Sequence, residues 1–298
     1  MSSRTKTVNR VAGLTAVLLA GSLALSACGG GGAVDSIPPP PPAPPPAPPP
    51  PPPPQPPNAN AIIPGATTTQ ELITAGTLPS DQQVRIRYDA EGQYYEIQLP
   101  GSAVWERLTG SSGDFITASG SGFGLIPNLA GVFTYSAAGF WNDSTSTRSG
   151  LVVAGVATPS GAVPTTGSAT YVGTLIGGSP ETSVHPTLGN LATAVTGSIN
   201  LAFDFGAGTL TGSASPILSY AAQVLNLPAI TFTETVYSSG STSFYGRFAT
   251  SLPGPNGFSG RFTGPAAQEL IGNFAFPYTS PVNGQVYGAA GAIIAKKP

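Results

Sequence analysis

The sequence predicts an all-β fold: a soluble, eight-stranded antiparallel β-barrel preceded by a small β-rich, handle-like region. Three observations carry that expectation. After residue 57 the chain is rich in Gly, Thr, Ser, Ala and aromatics and poor in Lys and Glu, the chemistry of strands and turns. From about Ser168 onward apolar and polar residues alternate with period two, most regularly over 195–205. Short turns such as Gly206-Ala207-Gly208 and Ser238-Ser239-Gly240 separate the alternating runs.

The first element is a leader. Arg4, Lys6 and Arg10 precede an apolar run over 11–25, and no acid falls among the first ten residues. A charged head before a short apolar core reads as a signal peptide, residues 1–27. The run falls short of the ~20 residues that span a bilayer comfortably. Leu25-Ser26-Ala27-Cys28 resembles the bacterial lipobox, with small residues before the cut and a thiol to accept diacylglycerol at Cys28. An ordinary secretory signal and an uncleaved anchor are the alternatives. Cys28 is the only cysteine, so no disulfide forms within the chain. Two or three acyl chains hold a protein to a membrane durably where one does not. Gly29 stands where an Asp would favour inner-membrane retention in the lipoprotein sorting rule, so that resemblance implies the outer membrane.

Residues 28–57 form the next element, a Gly joint followed by a polyproline linker. Positions 38–57 hold 17 prolines, broken by Ala43, Ala47 and Gln55. Proline fixes φ and removes the backbone donor, which predicts polyproline II; at ~3.1 Å per residue the run reaches roughly 60 Å. A spacer is the plain reading. A ligand for a proline-recognising partner, or a segment threading the cell wall, is the sharper one.

Charge excludes several functions. Removing Arg4, Lys6 and Arg10 leaves 8 basic residues against 13 acids, a net charge of −5. Without a basic patch, neither nucleic acid nor a polybasic grip on anionic lipid is expected. His185 is the only histidine, so a His-based metal cluster is excluded. No Gly-x-Ser-x-Gly elbow is present, and Gly206-Ala207-Gly208 reads as a hairpin turn. No catalytic residue, metal or resident cofactor is expected, and the chain is not read as an enzyme.

Residues 58–160 are assigned to the handle-like region. Its first part, 58–80, reads as linker with a possible helical turn over 70–74. Val84, Ile86 and Tyr88 then alternate with Arg85, Arg87 and Asp89. After a turn, Tyr95, Ile97 and Leu99 alternate with Tyr94, Glu96 and Gln98, an amphipathic hairpin with Arg85 and Arg87 near Glu96. Residues 105–140 are irregular, with aromatic-bearing strands such as 131–136.

Residues 161–298 are assigned to the barrel. Strands are expected at about 168–176, 195–205, 209–214, 230–237, 242–250, 258–263, 269–276 and 285–295. Closing eight strands removes exposed edges, and at that number side chains fill the interior or leave room for one small ligand. A membrane barrel would need an apolar outward band with aromatic girdles. The polar faces here are Thr, Ser, Asn and Asp.

The stretch Gly260-Arg261-Phe262-Thr263-Gly264-Pro265-Ala266-Ala267-Gln268-Glu269-Leu270-Ile271-Gly272-Asn273-Phe274 resembles the signature hairpin of the β-barrel domain of transferrin-binding protein B and its relatives. That pattern is Gly-x-Phe-Tyr-Gly-Pro, then Ala-x-Glu, a Gly pair and Phe. Residues 287–297 resemble the family's closing strand and 166–173 its opening strand. Thr263 stands where Tyr is usual, and Ile271 replaces one of the paired glycines. The motif is structural: Gly264-Pro265 shapes a turn, and Gly272 permits close packing. The resemblance implies a surface-exposed binding lipoprotein with a handle subdomain. It does not imply transferrin as the ligand.

The candidate ligand-binding residues are three. His185, in a loop by composition, is a candidate axial ligand for haem, because the family includes haem-related relatives; an ordinary exposed loop residue is the alternative. Glu234 shares a face with Ile230, Phe232 and Val236 and is expected to point inward, with Arg247 as its partner on the next strand. The expected function is an outer-membrane, lipid-anchored lipoprotein at the cell surface that captures a protein or a small nutrient. A structural or adhesive envelope protein is the second reading. A carrier or enzyme using the barrel interior is the third.

Overall fold

The computed structural model describes residues 62–76, 83–111, 113–146, 148–185, 189–220 and 223–298. The expected leader, Cys28 and the polyproline linker lie outside these residues. Among the described residues all regular structure is β, in two antiparallel sheets.

The first sheet contains β1 (Gln70–Glu71), β2 (Ile73–Gly76), β3 (Arg85–Asp89), β4 (Tyr94–Gln98), β5 (Glu106–Ser111), β6 (Asp114–Ile116), β7 (Gly122–Leu125), β8 (Ser136–Asn142) and β9 (Ser149–Gly155), in the order β1-β3-β4-β5-β6-β7-β8-β9-β2. Strands β1 and β2 are two parts of one stretch, interrupted only at Leu72, whose N–H donates to Ile86 O at 2.9 Å. One part pairs with β3 and the other with β9, so a single stretch joins both ends of the sheet. The expected linker and helical turn at 70–74 are therefore wrong. Five residues are too few for a helical period to assert itself, and burying Leu72 with Ile62, Ile63 and Ala66 while pairing two open edges decides the conformation. Tyr95 fastens this entry: its hydroxyl donates to Ile63 O at 2.9 Å and accepts from Ile63 N–H at 3.0 Å.

The hairpin expected over 84–99 forms, with Val84, Ile86, Tyr88, Tyr95, Ile97 and Leu99 buried. On its polar face Arg87 pairs with Glu96. Arg85 reaches Glu71 at 2.5 Å and Gln98 at 2.7 Å instead. Both guanidiniums lie over Trp105, at 5.1 and 4.5 Å.

The second sheet contains β10 (Ser168–His185), β11 (Gly189–Asp204), β12 (Thr209–Tyr220), β13 (Gln223–Asn226), β14 (Ile230–Val236), β15 (Ser243–Phe248), β16 (Gly257–Thr263), β17 (Glu269–Thr279) and β18 (Val286–Lys296). Eight of these close a ring: β10 pairs with β11 and β18, β11 with β12, and β12 with β14, after which the strands run in order back to β18. These are the eight strands the alternation predicts. The ninth, β13, folds back on the end of β12. Its four residues show no alternation to read.

The barrel interior is a solid core. Phe203 lies 4.9–5.5 Å, centroid to centroid, from the rings of Tyr171, Tyr237, Phe244 and Phe262. Phe232, Phe248, Phe258 and Phe276 continue the stack along the axis. Room for these rings comes from glycine directly across the ladder. Phe244 is paired with Gly260, and Gly246 with Phe258. A Cβ on Gly260 would come 2.4 Å from the Phe244 ring, and one on Gly246 2.6 Å from the Phe258 ring.

The two sheets meet along an apolar layer of Phe133, Ala138, Leu151 and Val153 against Ile271, Ala292 and Ile294. The hairpin singled out in the sequence forms the polar half of this seam. Buried Glu269 accepts N–H bonds from Thr134 at 2.7 Å and Tyr135 at 3.0 Å. Ser136 Oγ and Thr263 Oγ1 share a hydrogen bond of 2.7 Å. Thr158 donates its hydroxyl proton to Gly264 O at 2.8 Å, and Gly264 N–H donates to Val156 O at 2.9 Å. Gly264 has φ +85°, and a Cβ there would stand 2.7 Å from the Tyr135 ring. Thr263, where the family pattern has Tyr, is fully buried between the sheets.

Candidate binding site at the far end of the barrel

The strands define two ends. The near end carries Ser168, Asp204, Glu269 and Lys296 and adjoins the seam. It is plugged: Lys297 Nζ lies 5.5 Å from the Tyr171 ring and 5.6 Å from the Phe205 ring, where burial holds its pKa below the ordinary lysine value. The Tyr171 hydroxyl below donates to Ala267 O at 2.5 Å.

The far end, where β12 finishes and β14 starts, holds polar chemistry inside the barrel. The register of β10 against β11 slips between Ser179 and Thr182. Pro180 sits in the slip, where its missing N–H costs the ladder nothing. The bulge turns Glu181 inward, 2% exposed. Its carboxylate accepts from Tyr278 at 2.6 Å and Tyr220 at 2.8 Å on Oε2, and from Ser280 at 2.6 Å on Oε1. Ser179 Oγ lies 2.8 Å from the Tyr278 hydroxyl. None of the ion pairs among the described residues includes Glu181. Burial, with the Glu181 hydrogen bond behind it, pushes the Tyr220 phenol up to about 12. The same causes raise Tyr278 further.

Beside this cluster opens a cleft of about 300 Å³ lined by Leu227, Pro228, Ile230, Leu252, Pro277 and Tyr278, among others. Tyr278 belongs to both: it lines the cleft, and its hydroxyl reaches Glu181. Around the same end Val224, Val282 and Val286 are 68%, 62% and 43% exposed.

The residues expected from sequence fall elsewhere. Glu234 and Arg247 do pair, Oε2 to Nη1 at 3.4 Å, but on the outside of the barrel, with side chains 65% and 54% exposed. The inward placement of Glu234 is therefore corrected. A β-bulge between Thr233 and Val236, with Glu234 at φ +47°, shifts the phase of the strand, so Phe232 and Tyr237 face inward while Glu234 and Val236 face solvent. His185 is the last residue of β10, paired with Gly189, rather than part of an open loop; its side chain lies outside the described residues. The composition of 180–186 suggests a loop, but the ladder to β11 continues past the bulge. Glu181 escaped the sequence reading. Its signal is a proline-acid pair inside an otherwise uncharged alternating run.

The fold and this end together define an all-β barrel protein with a filled interior and a buried polar cluster beside an open cleft at one rim. Residues 163–296 match the family model described as the C-lobe and N-lobe β-barrels of Tf-binding protein B, and this part of the chain is a transferrin-binding protein B-like barrel domain. Solved structures with similarity include a mutant transferrin-binding protein B from Haemophilus parasuis Hp5, at 19% identity and TM-score 0.43, covering 76% of this chain and 44% of that one. The isotype 1 transferrin-binding protein B of serogroup B Neisseria meningitidis matches at 15% identity and TM-score 0.40, over 76% and 43%. A protein described as a surface lipoprotein matches at 12% identity and TM-score 0.34, over 78% and 99%. The chain spans less than half the length of the first two. A comparison with curated proteins gave no match.

Proposed function

We propose that this protein is an outer-membrane lipoprotein, anchored through Cys28 and displayed at the cell surface, whose barrel captures a protein partner at its far end. The match of 163–296 to the barrels of Tf-binding protein B supports this reading most. Packing supports it too. With Phe203, Phe244, Phe248, Phe262 and Phe276 closing the interior, binding falls to rims and outer faces rather than to a lumen. Exposed Val224, Val282 and Val286 beside a cleft give the far end the apolar character of a contact surface.

Protease treatment of intact cells tests display. Loss of the barrel epitope is expected, and full protection overturns it. Affinity capture from serum by the purified full-length protein tests the partner, with transferrin examined first because the relatives are named for it. Capture that falls about tenfold or more in a Val224→Asp, Val282→Asp double variant supports the far end. A partner bound equally by both proteins moves the contact elsewhere, and no partner at all favours the adhesive or structural reading.

A further inference from the structure

The ring of eight strands closes on itself, but β13, which lies outside the ring, keeps an open edge. It is the one strand of the second sheet with a single neighbour, β12. The phase of that ladder fixes which of its backbone groups are used. Leu227 N–H donates to Pro216 O at 3.0 Å, and the register continues with Asn226 opposite Ile217, Leu225 opposite Leu218 and Val224 opposite Ser219. Opposed residues in an antiparallel ladder alternate between hydrogen-bonded and non-hydrogen-bonded pairs. Leu227 and Leu225 therefore bond to β12, and the N–H and C=O groups of Val224 and Asn226 point away from it.

These groups face the side on which β15 stops short. Its last residue, Phe248, stands opposite Phe232, and Ala249 N–H makes one more bond, to Thr231 O at 2.8 Å. The Asn256 side chain then takes both backbone groups of Phe248, accepting from its N–H at 3.0 Å and donating to its carbonyl at 2.9 Å. The chain between them leaves the ladder through Pro253, Gly254 and Pro255. The cleft of about 300 Å³ opens at this break, with Leu227 and Ile230 on one side and Ala249, Leu252 and Pro277 on the other.

Native sheet edges are ordinarily blunted by Lys, Pro or a bulge. Gln223-Val224-Leu225-Asn226 has no Lys, no Pro and no slip in register, and Val224 is 68% exposed. Across the cleft Pro277 has no N–H to offer, which leaves β13 as the pairing edge. Two outward donors and two outward acceptors at strand spacing match another extended backbone. Residues 205–233 carry no charged side chain, so an uncharged occupant is the one that leaves no charge unpaired. A second copy pairing through four residues a side would fall well short of the ~1,000 Å² that a stable interface needs. A longer segment that also fills the cleft gains the missing area.

We infer that β13 is a site of β-strand addition: an extended, uncharged segment of a partner protein pairs with Val224 and Asn226 and sends an apolar side chain into the cleft. The inference rests on the proposed capture at the far end for its partner, whereas the edge itself is tested on the purified protein alone.

The test is amide hydrogen exchange of isotope-labelled full-length protein, with and without the peptide acetyl-Thr-Val-Ser-Leu-Ser-Val-Thr-amide. In the free protein Val224 and Asn226 N–H should exchange at least about a hundredfold faster than Leu225 N–H. The peptide should slow both about tenfold or more, and its fully N-methylated form should slow neither. Because the Asn226 N–H points away from β12, Asn226→Pro removes the donor without costing a ladder bond. That variant should keep the urea midpoint and weaken the peptide at least about tenfold. Slow exchange of Val224 and Asn226 in the free protein, no protection by the peptide, equal protection by the N-methylated form, or unchanged affinity in Asn226→Pro overturns the inference. So does a dimer that Asn226→Pro dissolves, because the occupant is then a second copy. Peptide pairing by a protein that captures nothing from serum supports the edge and counts against the capture reading alone.

Discussion

In the barrel, first and last strands meet over seven residue pairs, and β10 and β11 run for 18 and 16 residues. In the first sheet no strand exceeds seven residues, and the ends meet through one stretch that gives two pairs to β3 and four to β9. Both regions remove their open edges. The barrel does so with long ladders around an aromatic stack. The first sheet does so with an entering segment pinned by Leu72 and the Tyr95 hydroxyl. Long ladders enforce strict alternation, so the barrel writes its fold plainly. Short ones leave the fold to a few contacts distant in sequence.

The contrast can be broken most directly at the centre of the barrel. Phe203→Ala removes the ring that touches four others, and a stability loss of about 3–5 kcal/mol is expected. Trp105 and Trp141 are the only tryptophans, and both lie outside the barrel, so their fluorescence reports the first sheet while circular dichroism reports both. Coincident urea midpoints, both lowered, are expected because the apolar seam couples the sheets. A tryptophan transition left in place would separate the regions.

The seam gives the next largest effect. Glu269→Gln keeps one acceptor for two backbone donors, and a loss of about 1–3 kcal/mol is expected. Burial holds the Glu269 pKa above the ordinary carboxylate value, against the pull of the Thr134 and Tyr135 N–H groups. A raised folded-state pKa means that this contribution is fully present below about pH 4.5 and declines as pH rises through the folded value. The gap between wild type and Glu269→Gln should thus narrow from pH 4 to pH 7 in urea titrations. A widening gap would show that the two N–H bonds outweigh burial.

Glu234→Gln should do least. The pair with Arg247 is exposed, so a change below about 0.5 kcal/mol at neutral pH is expected. A loss above 1.5 kcal/mol would return Glu234 to the interior.

Much of this was legible in the chain. The eight barrel strands follow from alternation, and the hairpin over 84–99 from paired alternating runs around a turn. Glu234 was misplaced because a single bulged residue inverts every facing after it, and no residue type there announces a bulge. Glu181 was missed for the complementary reason: the composition of 180–186 reads as a loop, whereas Pro180 marks a slip within a strand. Residues 70–76 carry too little pattern to reveal that they pair on both sides. The role of 260–274 as the joint between sheets needed Thr134, Tyr135 and Ser136, more than 120 positions away in sequence.

The reciprocal pairs Phe244 with Gly260 and Gly246 with Phe258 constrain how this sequence can drift. Each ring occupies the volume its glycine vacates, so neither position changes freely. Enlarging Gly246 is tolerated with a smaller residue at 258, whereas a Cβ on Gly260 would also stand 2.8 Å from the Ile271 carbonyl oxygen, which no change at 244 relieves. Across descendants of this chain 246 and 258 should vary as a linked couple while 260 stays glycine, an inheritance rule written by space alone.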